Sequence, residues 1–368
     1  MNLTRRNALK SGAGALALGS LAGCLDDTAA SGGEFDAAYA AFFALWDWSQ
    51  AVAGDAAEIE NPVDYGQLGH GWEPDGDLPR EVASTNAFVY IDTPEFSWAQ
   101  DLAKTLKTDY ENVAAIDGLV GLESQMLESD HKHGKEGEHG HEEESHEDDD
   151  EQHTETEGKL GHEDDEQHTE TEGEHGHEDD EHEGEDGSRD GLDPHVWVDP
   201  VLAQDIVDTI AAGFTEIDAD NAETYEANAA AYNQRLADLD SQFEQLVADA
   251  DGSTAVLASH SSFAYVESRY GFELHTVTGV SPDSEPSPSE ISETLDLVDD
   301  NGIDVILYDL FESDRLAQTI VDNSDATETM AVTAAAGTTE KWNDDGWGYV
   351  DQMEQVTIPA FRRALGAE

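Results

Sequence analysis

At 368 residues and a formal net charge of −69, the chain is longer than a typical single domain and too acidic to hold nucleic acid or anionic lipid head groups on its surface. The acidity is not confined to one tail: residues 130–190 hold 28 Asp/Glu against 4 Lys/Arg, and −45 remains elsewhere, a self-repulsion tolerable mainly where high salt shortens the screening length. The one cysteine excludes an intramolecular disulfide.

The chain opens with Thr4-Arg5-Arg6-Asn7-Ala8-Leu9-Lys10, continues as an apolar Gly/Ala-rich run through Leu16, Leu18 and Leu21, and closes on Leu21-Ala22-Gly23-Cys24. A positive start, a short apolar stretch and small residues before a break are the grammar of an export signal, and roughly a dozen apolar residues are too few to span a bilayer. The arginine pair resembles a twin-arginine signal, and the ending resembles a lipoprotein box in which Cys24 is lipidated. Residues 1–24 therefore read as the signal and 25–33 as a small-residue tether, with the rest outside the cell, anchored to the outer face of the cytoplasmic membrane.

From 34 onward, Phe35, Tyr39, Phe42, Leu45 and Trp46 recur at helical spacing, and short apolar runs follow near 56–63, 87–91 and 113–116, a βαβα pattern. Residues 130–190 carry almost no large apolar side chain and cannot offset the entropy of ordering. This tract holds a near-perfect duplication, the run 149–158 recurring at 164–173, and 11 of the 15 histidines: His131, His133, His139, His141, His146, His153, His162, His168, His175, His177 and His182. It reads as a multivalent weak metal collector, tethering raising the local ion concentration; an incidental high-salt loop is the other reading.

Beyond it, Tyr225, Ala229, Tyr232, Leu236, Leu239, Phe243 and Leu246 are spaced alternately by four and three, the buried stripe of a long helix. Asp220 with Glu223 suggests a capping box and Asp251-Gly252 a stop. A helix of about 30 residues would run about 45 Å, enough for a rigid spine between two lobes; a coiled-coil dimer arm fits less well, since the stripe contains alanine and spans few heptads. Strand-like runs follow at 254–258, 304–308 and 330–332. Alternating strands and helices argue for parallel sheets. The expected fold is α/β, two Rossmann-like lobes with parallel sheets joined by one long rigid helix. The expected boundaries are 34–215 for the first lobe with its 130–190 insertion, 216–252 for the linking helix and 253–368 for the second lobe.

Four histidines lie in structured sequence. His260 follows the run ending Ala258-Ser259, at the carboxyl end of a strand, where open α/β sheets place ligands. His70 lies in the loop Gly69-His70-Gly71-Trp72-Glu73-Pro74, and His195 in a loop bracketed by Pro194 and Pro200. Neutral imidazoles suit Zn²⁺, and three of them leave one position for water or a carboxylate. His275 sits inside a strand-like pattern and reads as structural.

The Gly-His-Gly-Trp-Glu-Pro stretch at 69–74, Asp-Pro-His-Val-Trp-Val-Asp-Pro at 193–200, His260-Ser261-Ser262-Phe263-Ala264-Tyr265 and the turn at 279–287 together give the chain a specific likeness. It resembles the zinc-specific substrate-binding proteins of bacterial and archaeal ABC importers, over nearly everything outside the leader and the tract. The resemblance implies two α/β lobes bridged by a long helix, a metal in the interlobe cleft, and His70, His195 and His260 as its ligands. It also implies that a His-rich insertion between the first two ligands accompanies zinc rather than manganese. Two departures stand out. Where many relatives carry a late acidic ligand, residues 332–337 read Val-Thr-Ala-Ala-Ala-Gly, so water is the expected fourth ligand; and Asp309 stands where relatives often have glutamate, and reads as a group behind the ligands or a structural one.

The function implied is capture of Zn²⁺ and its delivery to an importer permease and its ATPase, by a monomeric, lipid-anchored protein that is not an enzyme and binds no nucleic acid. Manganese-binding relatives place a carboxylate where this chain has His260, and nitrogen donors favour zinc; copper also binds imidazoles well. A surface zinc store or adhesive lipoprotein is a rival, as is an importer component for manganese or another divalent metal. A zinc hydrolase is a weaker one, since there is no His-Glu-x-x-His helix and only Glu73 offers itself as a base.

Overall fold

Each half of the molecule is built on four short parallel strands. The structure is a computed structural model and describes residues 35–110, 112–129, 189, 191–281 and 285–367. The signal, Cys24, the tether and the tract's eleven histidines lie outside the described residues.

The first half runs β1 (Ala37–Ala40), α1 (Phe43–Ala53), β2 (Glu58–Glu60), α2 (Leu78–Val82), β3 (Ala87–Tyr90), α3 (Ser97–Asp109) and β4 (Ala114–Asp117). Then come α4 (Pro200–Ile217) and the long α5 (Ala222–Asp249). The second half is β5 (Thr254–Leu257), α6 (Ala264–Tyr270), β6 (Glu273–Thr276), α7 (Pro288–Asn301), β7 (Val305–Asp309), α8 (Arg315–Asn323) and β8 (Glu328–Val332). It closes with α9 (Glu340–Asp344), α10 (Tyr349–Gln352) and, after a π-turn, α11 (Ile358–Ala364). The sheet orders are β2-β1-β3-β4 and β6-β5-β7-β8, all pairs parallel. The two α/β lobes expected from sequence are present, and β3, Ala-Phe-Val-Tyr, is buried at every position, as a strand covered on both faces must be.

Two local expectations fail. Phe35 to Trp46 is not one helix: Tyr39 lies in β1, and α1 begins only at Phe43. The capping box at Asp220 does not form, because residues 219–221 make a 3₁₀ turn ahead of α5; Asp218 instead accepts from Asn221 Nδ2 (2.7 Å) and the Tyr225 hydroxyl (2.9 Å). The α5 stripe itself is as expected, all seven residues being buried.

α5 packs against α4 and α1 of the first lobe and against α6 and α11 of the second. The lobes also meet without it. Trp197 Nε1 donates to the Ala334 carbonyl (2.8 Å), the Tyr349 hydroxyl to the Trp197 carbonyl (2.7 Å), and Gly66 N to the Thr338 carbonyl (2.8 Å). Asp47 Oδ2, buried in α1, accepts from Tyr232 on α5 (2.6 Å) and from the Tyr349 amide (2.9 Å). Among the described residues no helix is long and apolar enough to cross a membrane.

Candidate metal centre

His70, His195 and His260 are all buried and come together, each offering a ring nitrogen within 4.8 Å of the others'. Their ring centroids are 5.7 Å (His70–His195), 5.0 Å (His70–His260) and 5.2 Å (His195–His260) apart.

Each is delivered by a different device. His70 sits after Gly69, which lies so close to α1 that a Cβ there would stand 2.4 Å from the Phe42 Cβ; the Gly69 carbonyl accepts from Trp98 Nε1 (3.0 Å), and Phe96 packs on the imidazole edge (5.8 Å). His195 begins a 3₁₀ turn, His195–Val198, rather than lying in an irregular loop. That turn feeds α4, whose first amides at Val201 and Leu202 are capped by Asp199 Oδ1 (2.8 and 3.4 Å), with Pro200 at the first helical position. Asp199 also pairs with Arg269 on α6, tying the turn to the other lobe. His260 follows β5 at the carboxyl end of the second sheet, beside Ser259, whose Oγ accepts from the Asp309 amide (2.7 Å).

The hydrogen bonds behind the rings decide their chemistry. Asp193 Oδ1 accepts from both the His195 amide and His195 Nδ1 (2.8 Å each), and His260 Nδ1 contacts Glu312 Oε1. An ionised carboxylate can only accept, so in a neutral ring each Nδ1 keeps the proton and each Nε2 presents a lone pair. Those two lone pairs face each other at 3.3 Å. A tetrahedral ion with Zn–N bonds of about 2.0–2.1 Å separates its nitrogen ligands by about 3.3 Å, so the pair is spaced as two ligands of one cation. Neither nitrogen of His70 has a hydrogen-bond partner among the described residues, and burial, reinforced by His260 and His195, holds its pKa well below the ordinary imidazole value, keeping it neutral.

Two further carboxylates stand nearby. Burial pushes Asp309 up to about 6, against the pull of His260; its Oδ1 accepts from Phe311 N (2.8 Å), and its Oδ2 has no hydrogen-bond partner among the described residues. Glu95, raised by burial against the attraction of His195, also has an unpartnered oxygen. No carboxylate joins the three imidazoles within the same 4.8 Å among the described residues. Residues 332–337 carry no carboxylate, and Thr333 to Ala336 are buried. Glu73 is exposed, and His275 lies in β6 against the Thr294 hydroxyl (2.8 Å). The sequence reading missed Glu312 and Glu95 and did not assign Asp193 its partner; the last had a signal, an acidic residue two positions before a histidine across a proline.

A family model for the zinc-uptake complex component A, periplasmic (ZnuA), matches residues 39–358. The chain belongs to the ZnuA family. Among curated relatives it is 27% identical over 329 residues to the zinc-binding lipoprotein AdcA of Streptococcus pneumoniae (strain ATCC BAA-255 / R6), spanning 89% of this chain and 55% of AdcA. It is 32% identical over 174 residues to the high-affinity zinc uptake system protein ZnuA of Bacillus subtilis (strain 168), 47% of this chain and 54% of that one. The chain thus spans about half the length of these relatives. Among solved structures, the Zn(II)-bound ZnuA-like domain of Streptococcus pneumoniae AdcA matches with a TM-score of 0.63 at 23% identity, over 90% of this chain and 99% of that domain, a likeness of fold.

Proposed function

We propose that this ZnuA-family protein captures Zn²⁺ outside the cytoplasm through His70, His195 and His260 and delivers it to the permease and ATPase of an ABC importer. The observation that carries this reading is the pair of Nε2 atoms 3.3 Å apart with a third buried imidazole beside them, a spacing that fits ligands of one cation. Three nitrogen donors favour zinc over manganese, and water takes the fourth position. The names of the relatives, zinc-binding lipoprotein and zinc uptake protein, support the same cargo. The leader motif supports twin-arginine export and lipid anchoring at Cys24, with a monomeric body of two lobes, 34–215 and 253–368, around a linking helix at 216–252. The net −69 supports a high-salt habitat, and the eleven tract histidines support ion collection.

Calorimetric titration with Zn²⁺ and Mn²⁺, on the full chain and on one lacking 131–188, which keeps the Arg189 clamp, tests this reading. One tight zinc site should survive the deletion and be lost on His70→Ala, His195→Ala or His260→Ala. Tight manganese binding, or zinc binding indifferent to all three substitutions, refutes it.

A further inference from the structure

We infer that Glu312 is the positioning residue of the second lobe, setting the tautomer and aim of His260 as Asp193 does for His195; this rests on the zinc reading above. β7 ends at Asp309, and the chain turns back there, with Phe311 N donating to Asp309 Oδ1 (2.8 Å) and Glu312 N to the Asp309 carbonyl (3.1 Å). Asp309 thus uses one carboxylate oxygen to shape the turn. Glu312, three residues on, is the acid that contacts His260 Nδ1, with its side chain 18% exposed against 1% for the histidine.

Each lobe then brings one carboxylate-backed imidazole to the cleft, and the two aim their Nε2 atoms at one point. The third ring, His70, has no such partner among the described residues. Two things follow from a carboxylate behind a ligand. It prevents the Nε2–H tautomer, which would place a proton where the ion sits, and it sets negative charge opposite the dication, so that a neutral donor set need not bury an uncompensated charge. Glu312 is 52 residues from its partner and in a loop, so no motif records it.

Glu312→Ala, Glu312→Gln and His260→Ala in the full chain test this, with zinc affinity read by competition against a chromophoric chelator and the His260 tautomer read by long-range ¹H–¹⁵N correlation on the zinc-free protein. Glu312→Ala should weaken zinc about 10- to 100-fold, the usual cost of losing such a partner, while the protein still melts cooperatively and His260 gains Nε2–H character. Glu312→Gln keeps an accepting oxygen but not the charge, so it should retain the Nδ1–H signature and recover part of the affinity, binding zinc more tightly than Glu312→Ala. Wild-type affinity in Glu312→Ala, equal losses in the two variants, or an Nε2–H His260 in the unaltered protein overturns the positioning role. Wild-type affinity in His260→Ala would instead sink the zinc reading itself.

Discussion

His195 Nε2 and His260 Nε2 stand 3.3 Å apart across the lobes, and when both rings are neutral with Nδ1–H held by Asp193 and Glu312, lone pair faces lone pair. Such a contact costs energy until a cation fills it, so zinc should stabilise the folded protein strongly. At free zinc 1,000-fold above Kd the gain is about 4 kcal/mol, visible as a raised Tm. His195→Ala or His260→Ala should remove most of that shift. Both substitutions also strand a carboxylate, Asp193 or Glu312, so the zinc-free variants should be characterised alongside.

Asp309 predicts an unusual pH dependence. Its carboxyl titrates near about 6 in the folded protein and 3.8 in the unfolded chain, because burial disfavours the charge. Between those values the folded state holds a proton that the unfolded state has lost, so this group's contribution to stability falls as pH rises from about 4 to 6, by about 3 kcal/mol, and is flat above. Other carboxylates titrate in the same range. The check is therefore the difference between wild type and Asp309→Asn in denaturant melts of the zinc-free protein: the variant should gain relative stability from pH 4.5 to 7. A difference that does not change with pH refutes it.

Gly337 is where the His70 loop touches the other lobe. A Cβ there would lie 2.4 Å from the Gln67 carbonyl oxygen, a backbone atom that cannot step aside, next to the Gly66 N to Thr338 O bond. Gly337→Ala should destabilise by about 1–3 kcal/mol and weaken zinc binding by displacing His70. Thermal melts and zinc competition together check it, and an unchanged zinc affinity would mean that the loop holds its place without this contact.

Arg189 forms the neck of the 130–190 insertion. Its guanidinium, nearly buried, pairs with Asp117 (2.7 Å) and Glu123 (2.8 Å) and also reaches the carbonyls of Asp92 (3.2 Å) and Leu119 (3.3 Å). Arg189→Met should cost about 3 kcal/mol, chiefly by leaving Asp117 without its cation. Because Glu123 is half exposed, it should contribute little to that loss, so Glu123→Gln is expected to lie within about 1 kcal/mol of wild type in the same urea melts.

Much of the architecture was legible from residues alone. The α5 stripe could be read because a long helix wedged between two lobes buries one continuous face, and β5 and β7 because buried parallel strands are short apolar runs; β8, half-buried at the sheet edge, shows only Met330 to Val332 as such a run. The segment from Phe35 to Trp46 misled for the same physical reason: β1 is buried nearly throughout, shows no alternation, and its Tyr39 falls into step with Phe35 and Phe42 on either side and with Leu45 and Trp46 of α1. The three histidines were visible as motifs. Their supporting carboxylates were not equally so, since Asp193 acts over two residues and Glu312 over fifty-two.

The neck of the insertion has an evolutionary consequence. Ser129 N donates to the Gly191 carbonyl (2.8 Å), Asp193 N to the Leu127 carbonyl (2.8 Å), and the Tyr265 hydroxyl binds both arms, accepting from Leu127 N (3.0 Å) and donating to the Asp193 carbonyl (2.7 Å). With the two feet stitched together just ahead of His195, the span between them can be lengthened or shortened without moving a ligand. Closing a connection twice as long costs only about 0.6 kcal/mol. Copying errors that duplicate a decapeptide, such as the pair at 149–158 and 164–173, therefore meet little resistance from the folded body, and the number of histidines there can change without disturbing it.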